Sequence, residues 1–128
     1  MLKDNERNRD LHKIRLQKLI EIARLNKNKQ ERRSFHVAAV YQRGVCISLA
    51  FNQRKSHPRM KGLYPDFPGI GLHAEFAAIL GAKGLKGNYR NCTLYVARLD
   101  NNGFVASSAP CEHCSRVLAK VGLKFYNS

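Results

Sequence analysis

Two short stretches, His73-Ala74-Glu75 and Pro110-Cys111-Glu112-His113-Cys114, decide how this chain is organised. The first supplies an imidazole and, two residues later, a carboxylate. The second supplies two thiols at i and i+3, which are neighbours on one face of a helical turn. One imidazole and two thiolates can hold zinc and leave a fourth tetrahedral position open to water. Because a nearby carboxylate can move protons to and from that water, the pattern predicts a hydrolytic metal site.

Both stretches are expected at the N-termini of helices. Pro110 suits the first position of a helix, predicted over residues 111–121, because its missing amide proton costs nothing there. Ser107 or Ser108 could cap this helix. The first stretch precedes an apolar segment that predicts a second helix over residues 74–82. The positive ends of both helix dipoles favour deprotonated thiols between them.

Two other interpretations of the cysteine pair stay open on residue types alone. One is a closed structural zinc site with His57 or His113 as a further ligand. The other is a thioredoxin-like redox pair. The redox interpretation leaves the pairing of His73 with Glu75 unexplained. The proline, the carboxylate and the helical context favour the open site over the closed one.

Length and composition bound the class of protein. The 128 residues suffice for one domain, which we expect to span the whole chain with residues 1–9 flexible. Apolar residues make up 44% of the sequence, enough for a packed core. No apolar run reaches the roughly 18 residues of a membrane span, and the charged N-terminus lacks a signal-peptide core. Cys46 and Cys92 are expected to be buried and reduced, which predicts a cytoplasmic protein.

The formal net charge of +14 is the strongest compositional signal. The excess of Lys and Arg is spread along the chain and is densest near the N-terminus. Such a surface attracts phosphate groups, on nucleotides or on nucleic acid. Charge alone does not distinguish between these partners. The excess of positive charge is equally consistent with a solvated surface that only keeps the protein soluble.

The remaining elements follow from hydrophobic periodicity and turn residues. We predict the following series: a helix over residues 10–27, a hairpin of strands 36–41 and 45–51, a strand over 92–99, a turn at 100–103, a short extended piece over 104–107 and a last strand from 123. A strand that follows a helix suggests parallel pairing for residues 92–99. The wide apolar arc of the first helix, from Leu11 to Leu25, fits either a partner subunit or burial within the domain.

A long basic loop, residues 53–72, leads directly into His73 and is expected to form one wall of the site. Arg54 and Lys55 at its start are candidates for binding a substrate phosphate. Asn52, just before the loop, is a candidate substrate contact, although an asparagine there also serves simply to end the strand.

In element order and in its His-Ala-Glu and Pro-Cys-x-x-Cys motifs, the chain resembles the cytidine deaminase-like superfamily. The resemblance covers roughly residues 10–126. A histidine at the first ligand position is similar to the deoxycytidylate, tRNA-adenosine and polynucleotide cytidine branches. The resemblance implies an α/β fold of three layers, α-β-α, around a mixed sheet in which a short antiparallel hairpin is followed by parallel strands.

The resemblance also implies roles for individual residues. It assigns them as follows: His73, Cys111 and Cys114 to Zn²⁺, Glu75 to proton transfer, Asn52 to the substrate sugar, and the backbone amide of Ala74 to the base. The family usually continues past the last predicted strand, so the fold is expected to be abbreviated at its C-terminus. An open sheet edge there, with the apolar first helix, predicts a homo-oligomer.

Hydrolytic deamination of a cytosine ring is therefore the expected activity, with free deoxycytidylate as the preferred substrate. One alternative keeps the chemistry and acts on single-stranded DNA, RNA or tRNA, at cytosine or adenine. The net charge favours this alternative, whereas the scarcity of aromatic residues for base stacking opposes it. An alternative of another class is a basic nucleic-acid-binding module with a structural zinc, which would leave Glu75 without a role.

Overall fold

A computed structural model of the chain describes residues 4–27, 35–52, 73–84, 86–100, 102–108 and 112–128. Within these residues the elements are, in chain order, α1 (Asp4–Asn26), β1 (Phe35–Gln42), β2 (Val45–Phe51), α2 (Ala74–Ala82), β3 (Cys92–Leu99), β4 (Val105–Ala106), α3 (Glu112–Val121) and β5 (Lys124–Asn127). No helix in the described part of the chain is both long and apolar enough to cross a membrane.

The five strands form one mixed sheet. β1 and β2 make an antiparallel hairpin, and β1 also pairs antiparallel with β3 along its whole length, from Phe35 opposite Leu99 to Gln42 opposite Cys92. The other edge of β3 is shared between β4, which is antiparallel, and β5, which is parallel. The parallel pairing predicted for the third strand is thus present, but its partner is β5, because β1 lies between β2 and β3.

Helices cover both faces of this sheet, so the predicted α-β-α layering is confirmed. α1 covers one face and buries Leu19 and Ala23 against β1 and β3. α2 and α3 cover the other face, where Phe76, Ile79 and Val117 are buried in the second core. Burial of apolar side chains on both faces supplies the main driving force for this arrangement, roughly 25 cal/mol per Å².

Helix α1 begins earlier than predicted. The apolar periodicity starts at Leu11, yet the backbone is helical from Asp4, because charged residues propagate a helix without contributing to its apolar face. The apolar arc is divided: one side is buried, while Leu11, Ile14 and Leu25 are 41%, 53% and 85% exposed. Burial within the domain therefore accounts for only part of the arc.

The two cysteines outside the metal motif differ from each other. Cys92 is buried in the core beneath α2 and α3, as predicted. The prediction for Cys46 was wrong, because this thiol is exposed and donates to the carbonyl oxygen of Ser48 at 3.4 Å. β2 is the outer strand of the hairpin and is largely solvent-facing near its start, so its small apolar residues are not sealed there.

The predicted turn between β3 and β4 is confirmed. The Oδ1 atom of Asp100 accepts hydrogen bonds from the amides of Asn102 and Phe104, at 2.9 and 3.0 Å. Gly103 adopts a φ of 86°, which a residue without Cβ accepts at little cost. This turn joins β3 to β4 as an antiparallel pair, with Leu99 opposite Val105.

Candidate active site

Helix α2 presents His73 and Glu75 at its N-terminus. His73 has an extended backbone, with φ −68° and ψ 147°, and its carbonyl oxygen accepts the amide of Ala77 at 3.0 Å, so it occupies the N-cap position. Its side chain makes no capping hydrogen bond. The imidazole therefore does not act as a helix cap, which is unusual for a polar side chain at this position. Glu75, in the first turn, is only 5% exposed.

Helix α3 brings Cys114 to the same place. Its Sγ atom lies 3.3 Å from Nδ1 of His73, and the side chain is 2% exposed. One potential ligand atom from each of His73, Glu75 and Cys114 lies within 4.8 Å of the other two. Bonds of about 2.0 Å to nitrogen and 2.3 Å to sulfur put two ligand atoms of a tetrahedral zinc roughly 3.5 Å apart. The histidine and cysteine therefore fit a zinc ion between them.

Several residues that the sequence assigned to this site lie outside the described residues. They are Cys111 of the metal motif, Pro110 before it, and Arg54 and Lys55 of the basic loop. Ala74 is described: it is fully buried as the first residue of α2, so its backbone lies beside the cluster formed by His73 and Glu75. Its contact with a substrate base stays a prediction.

Asn52 lies where the hairpin of β1 and β2 ends. Its Oδ1 atom accepts the backbone amide of His36 at 3.0 Å, and its own amide donates to the carbonyl oxygen of His36 at 3.2 Å. These two hydrogen bonds join the end of β2 to the start of β1, which is the structural role that an asparagine at a strand end is expected to have. The proposed contact between Asn52 and a substrate sugar stays a prediction.

Two supports of the site were missed in the sequence. Tyr89 is buried, and its hydroxyl lies 2.9 Å from the carbonyl oxygen of Ile79 and 2.8 Å from that of Gly84, near the C-terminal end of α2. It also accepts the amide of Lys83 at 3.3 Å. Burial raises the pKa of Tyr89 above its ordinary value, so the hydroxyl stays a proton donor. A tyrosine after a glycine-rich turn gave no signal of this role.

The second support is Ser108, in the segment before α3. Its hydroxyl donates to the carbonyl oxygen of Val96 in β3 at 2.9 Å, and the capping role expected for Ser107 or Ser108 stays a prediction. Its backbone amide donates to the carbonyl oxygen of Ser128 at 3.1 Å. The chain leading to the cysteine motif is therefore fixed to β3 and to the end of β5.

Comparison with known proteins identifies the class. The sequence profile described as the cytidine and deoxycytidylate deaminase zinc-binding region matches residues 13–126, so the chain belongs to that family. No match was found among curated proteins or among solved structures. Membership supports zinc-dependent hydrolytic deamination in general, and the residues of this site fit the metal that the family binds.

Proposed function

We propose that this protein hydrolyses the exocyclic amine of a cytosine-type nucleotide, with deoxycytidylate as the preferred substrate. One observation carries the proposal: a carboxylate that is 5% exposed lies with a histidine and a cysteine whose potential ligand atoms are within 4.8 Å of it. In a structural zinc site the ligands alone fill the coordination positions, so a further buried carboxylate beside them would have no function. A hydrolytic site needs one to move protons.

The chain's own residues divide the work. His73 and Cys114, with Cys111 expected to join them, would hold the zinc, which when bound makes water acidic enough to act as a nucleophile near neutral pH. Glu75 accepts the proton that water loses on attacking C4 of the ring and delivers it to N3. It then accepts the proton of the hydroxyl group added at C4, as the C4 carbonyl forms, and delivers it to the departing amine. Water and the cytosine derivative thus yield the uracil derivative and ammonia.

The preference for a mononucleotide rests on the position of the chain's cations and on its few aromatic residues. Arg54 and Lys55 lie two and three residues after Asn52 in the sequence, where a 5′-phosphate would need a positive partner. For a polynucleotide, successive bases would need exposed aromatic residues near the site. Tyr41, one of few candidates, instead packs edge-on against Tyr95, among the residues beneath α1 and not beneath α2.

Deamination within single-stranded DNA, RNA or tRNA is the second candidate, and the net charge of +14 favours it. Steady-state assays with deoxycytidylate, deoxycytidine and a cytosine-containing oligonucleotide separate the two, with ammonia and the product base as readouts. We expect turnover of deoxycytidylate. Arg54→Ala or Lys55→Ala should raise KM for the nucleotide and hardly affect the nucleoside. Turnover of the oligonucleotide without turnover of the mononucleotide would reverse the choice.

We further propose that the enzyme is a cytoplasmic homo-oligomer. Reduced thiols suit the cytoplasm. Leu11, Ile14 and Leu25 are exposed on one side of α1, where a second subunit would cover them, and β5 offers an outer edge for pairing. Light scattering at micromolar concentration tests the assembly, and a monomeric mass would contradict it.

A further inference from the structure

A second concave site lies away from the metal cluster. A cavity of about 650 Å³ opens where β1 ends and β3 begins, and Tyr89 forms part of its wall. The hydroxyl of Tyr89 is bonded near the C-terminal end of α2, whereas His73 precedes the first residue of the same helix. Nine helical residues span about 13 Å, so the cavity and the metal cluster lie at opposite ends of α2.

The cavity is lined by three cations, Arg43, Arg90 and Lys124, and by no carboxylate among its described lining residues. Like charges brought together repel each other, so the arrangement costs free energy unless an anion offsets it. Within the part of the chain that the structure describes, none of these three side chains forms an ion pair. The overall positive charge alone does not explain why three unpaired cations line one concavity.

The backbone of Arg43 gives an independent indication. Arg43 and Gly44 form the two-residue turn between β1 and β2, with φ values of 50° and 84°. Asparagine or glycine adopts the first of these conformations readily, whereas most other residues are disfavoured there. Asn91, with φ 64°, lines the cavity too, and these two are the non-glycine residues with positive φ in the described ranges. Residues that keep an unfavourable backbone conformation are concentrated at functional sites.

We propose that this cavity is a phosphate-binding site, separate from the deaminase site. The two guanidinium groups can each give paired hydrogen bonds to phosphate oxygens, and Lys124 adds a compact positive charge. Thr93 contributes a hydroxyl donor to the lining. The volume exceeds what a bare phosphate fills and falls in the range of sites for small organic ligands. The phosphate therefore belongs to a larger molecule, either a free nucleotide or the backbone of an oligonucleotide.

The test is a titration of the zinc-loaded full chain with pyrophosphate, followed by amide chemical shifts in ¹⁵N-labelled protein. Amides of Gly44, Thr93 and Gly122 should shift together, whereas those of Ala74 and Glu75 should not. The variant Arg43→Asn with Arg90→Gln and Lys124→Gln should bind pyrophosphate at least about tenfold more weakly. Its matched control, Lys13→Gln with Lys18→Gln and Lys120→Gln, removes the same charge from exposed positions and should lose less than about twofold.

The single variant Arg43→Asn separates loss of binding from loss of folding. Asparagine suits the turn better than arginine, so this variant should melt at the same or a higher temperature while binding more weakly. An oligothymidylate that shifts the same amides, with affinity falling steeply as salt rises, would identify the ligand as a nucleic-acid backbone. If the same amides shift with pyrophosphate and with thymidylate but not with oligothymidylate, the ligand is a free nucleotide. Equal losses in the two triple variants, or no shift at these amides with any probe, would overturn the proposal.

Discussion

The Nδ1 atom of His73 lies 3.3 Å from the Sγ atom of Cys114, although 41 residues separate the two in sequence. Two helices that pack on one face of the sheet bring them together at helix N-termini, with Cys114 almost fully buried. The zinc ion that the family binds would be shared by these two side chains.

The metal should therefore be part of the fold. We predict one zinc per chain, lost or strongly reduced in Cys114→Ser and in Cys111→Ser, with a large fall in melting temperature because zinc binding and folding are coupled. Metal analysis after gel filtration and thermal melting measure the two effects. Cys46→Ser is the matched control, because that thiol is exposed and should leave zinc content unchanged. Full zinc occupancy in a variant lacking both Cys111 and Cys114 would refute the assignment.

The hydroxyl of Tyr89 should contribute measurably to stability. In Tyr89→Phe the carbonyl groups of Ile79 and Gly84 and the amide of Lys83 lose their shared partner, while the ring is retained. We expect the free energy of unfolding to fall by about 1–3 kcal/mol, measured by urea denaturation. Tyr126→Phe is the control: this side chain is 39% exposed, and the change should stay within about 0.5 kcal/mol. Equal effects at the two positions would contradict the role given to Tyr89.

His12 should make stability depend on pH. Arg15 donates to the hydroxyl of Tyr95 at 2.9 Å, and the same hydroxyl is hydrogen-bonded to Nδ1 of His12, in a direction set by the tautomer of the imidazole. Burial, and then the positive charge of Arg15, lower the pKa of His12 below its ordinary 6.5. Between the lowered pKa and 6.5 the unfolded chain binds the proton more readily, so the stabilisation is complete above pH 6.5 and declines as pH falls.

We therefore predict that the stability difference between wild type and His12→Gln narrows from pH 7.5 to pH 5.5. Urea denaturation at constant free zinc measures this difference. Protonation of the metal ligands affects both proteins equally, so it cancels from the difference. A difference that widens as the pH falls would show that His12 is stabilised in its charged form.

Local sequence signals predicted the helices and strands well, but they predicted the strand pairing and the tertiary contacts less well. The bounds of α2 follow from an apolar run that starts after His73 and stops before Gly84, where φ is 70°. The hairpin follows from two β-rich runs around Arg43 and Gly44. The pairing of β3 with β1, the reach of Tyr89 to the end of α2, and the group of His12 with Tyr95 depend on which strands become neighbours. No local pattern encodes that.

Glu75→Gln is the sharpest test of the proposed chemistry. Glutamine keeps the shape of the side chain and removes the basic carboxylate, so zinc content and melting should change little while turnover falls by about 10²-fold or more. Metal analysis, melting and ammonia release from deoxycytidylate measure the three quantities on one preparation. The control is Glu112→Gln: that carboxylate is exposed and pairs with Arg116 one helical turn away, so its loss should leave turnover near the wild-type rate. If Glu75→Gln lost its zinc together with its activity, Glu75 would be a ligand. If it deaminated at the wild-type rate, the proton would travel by another group.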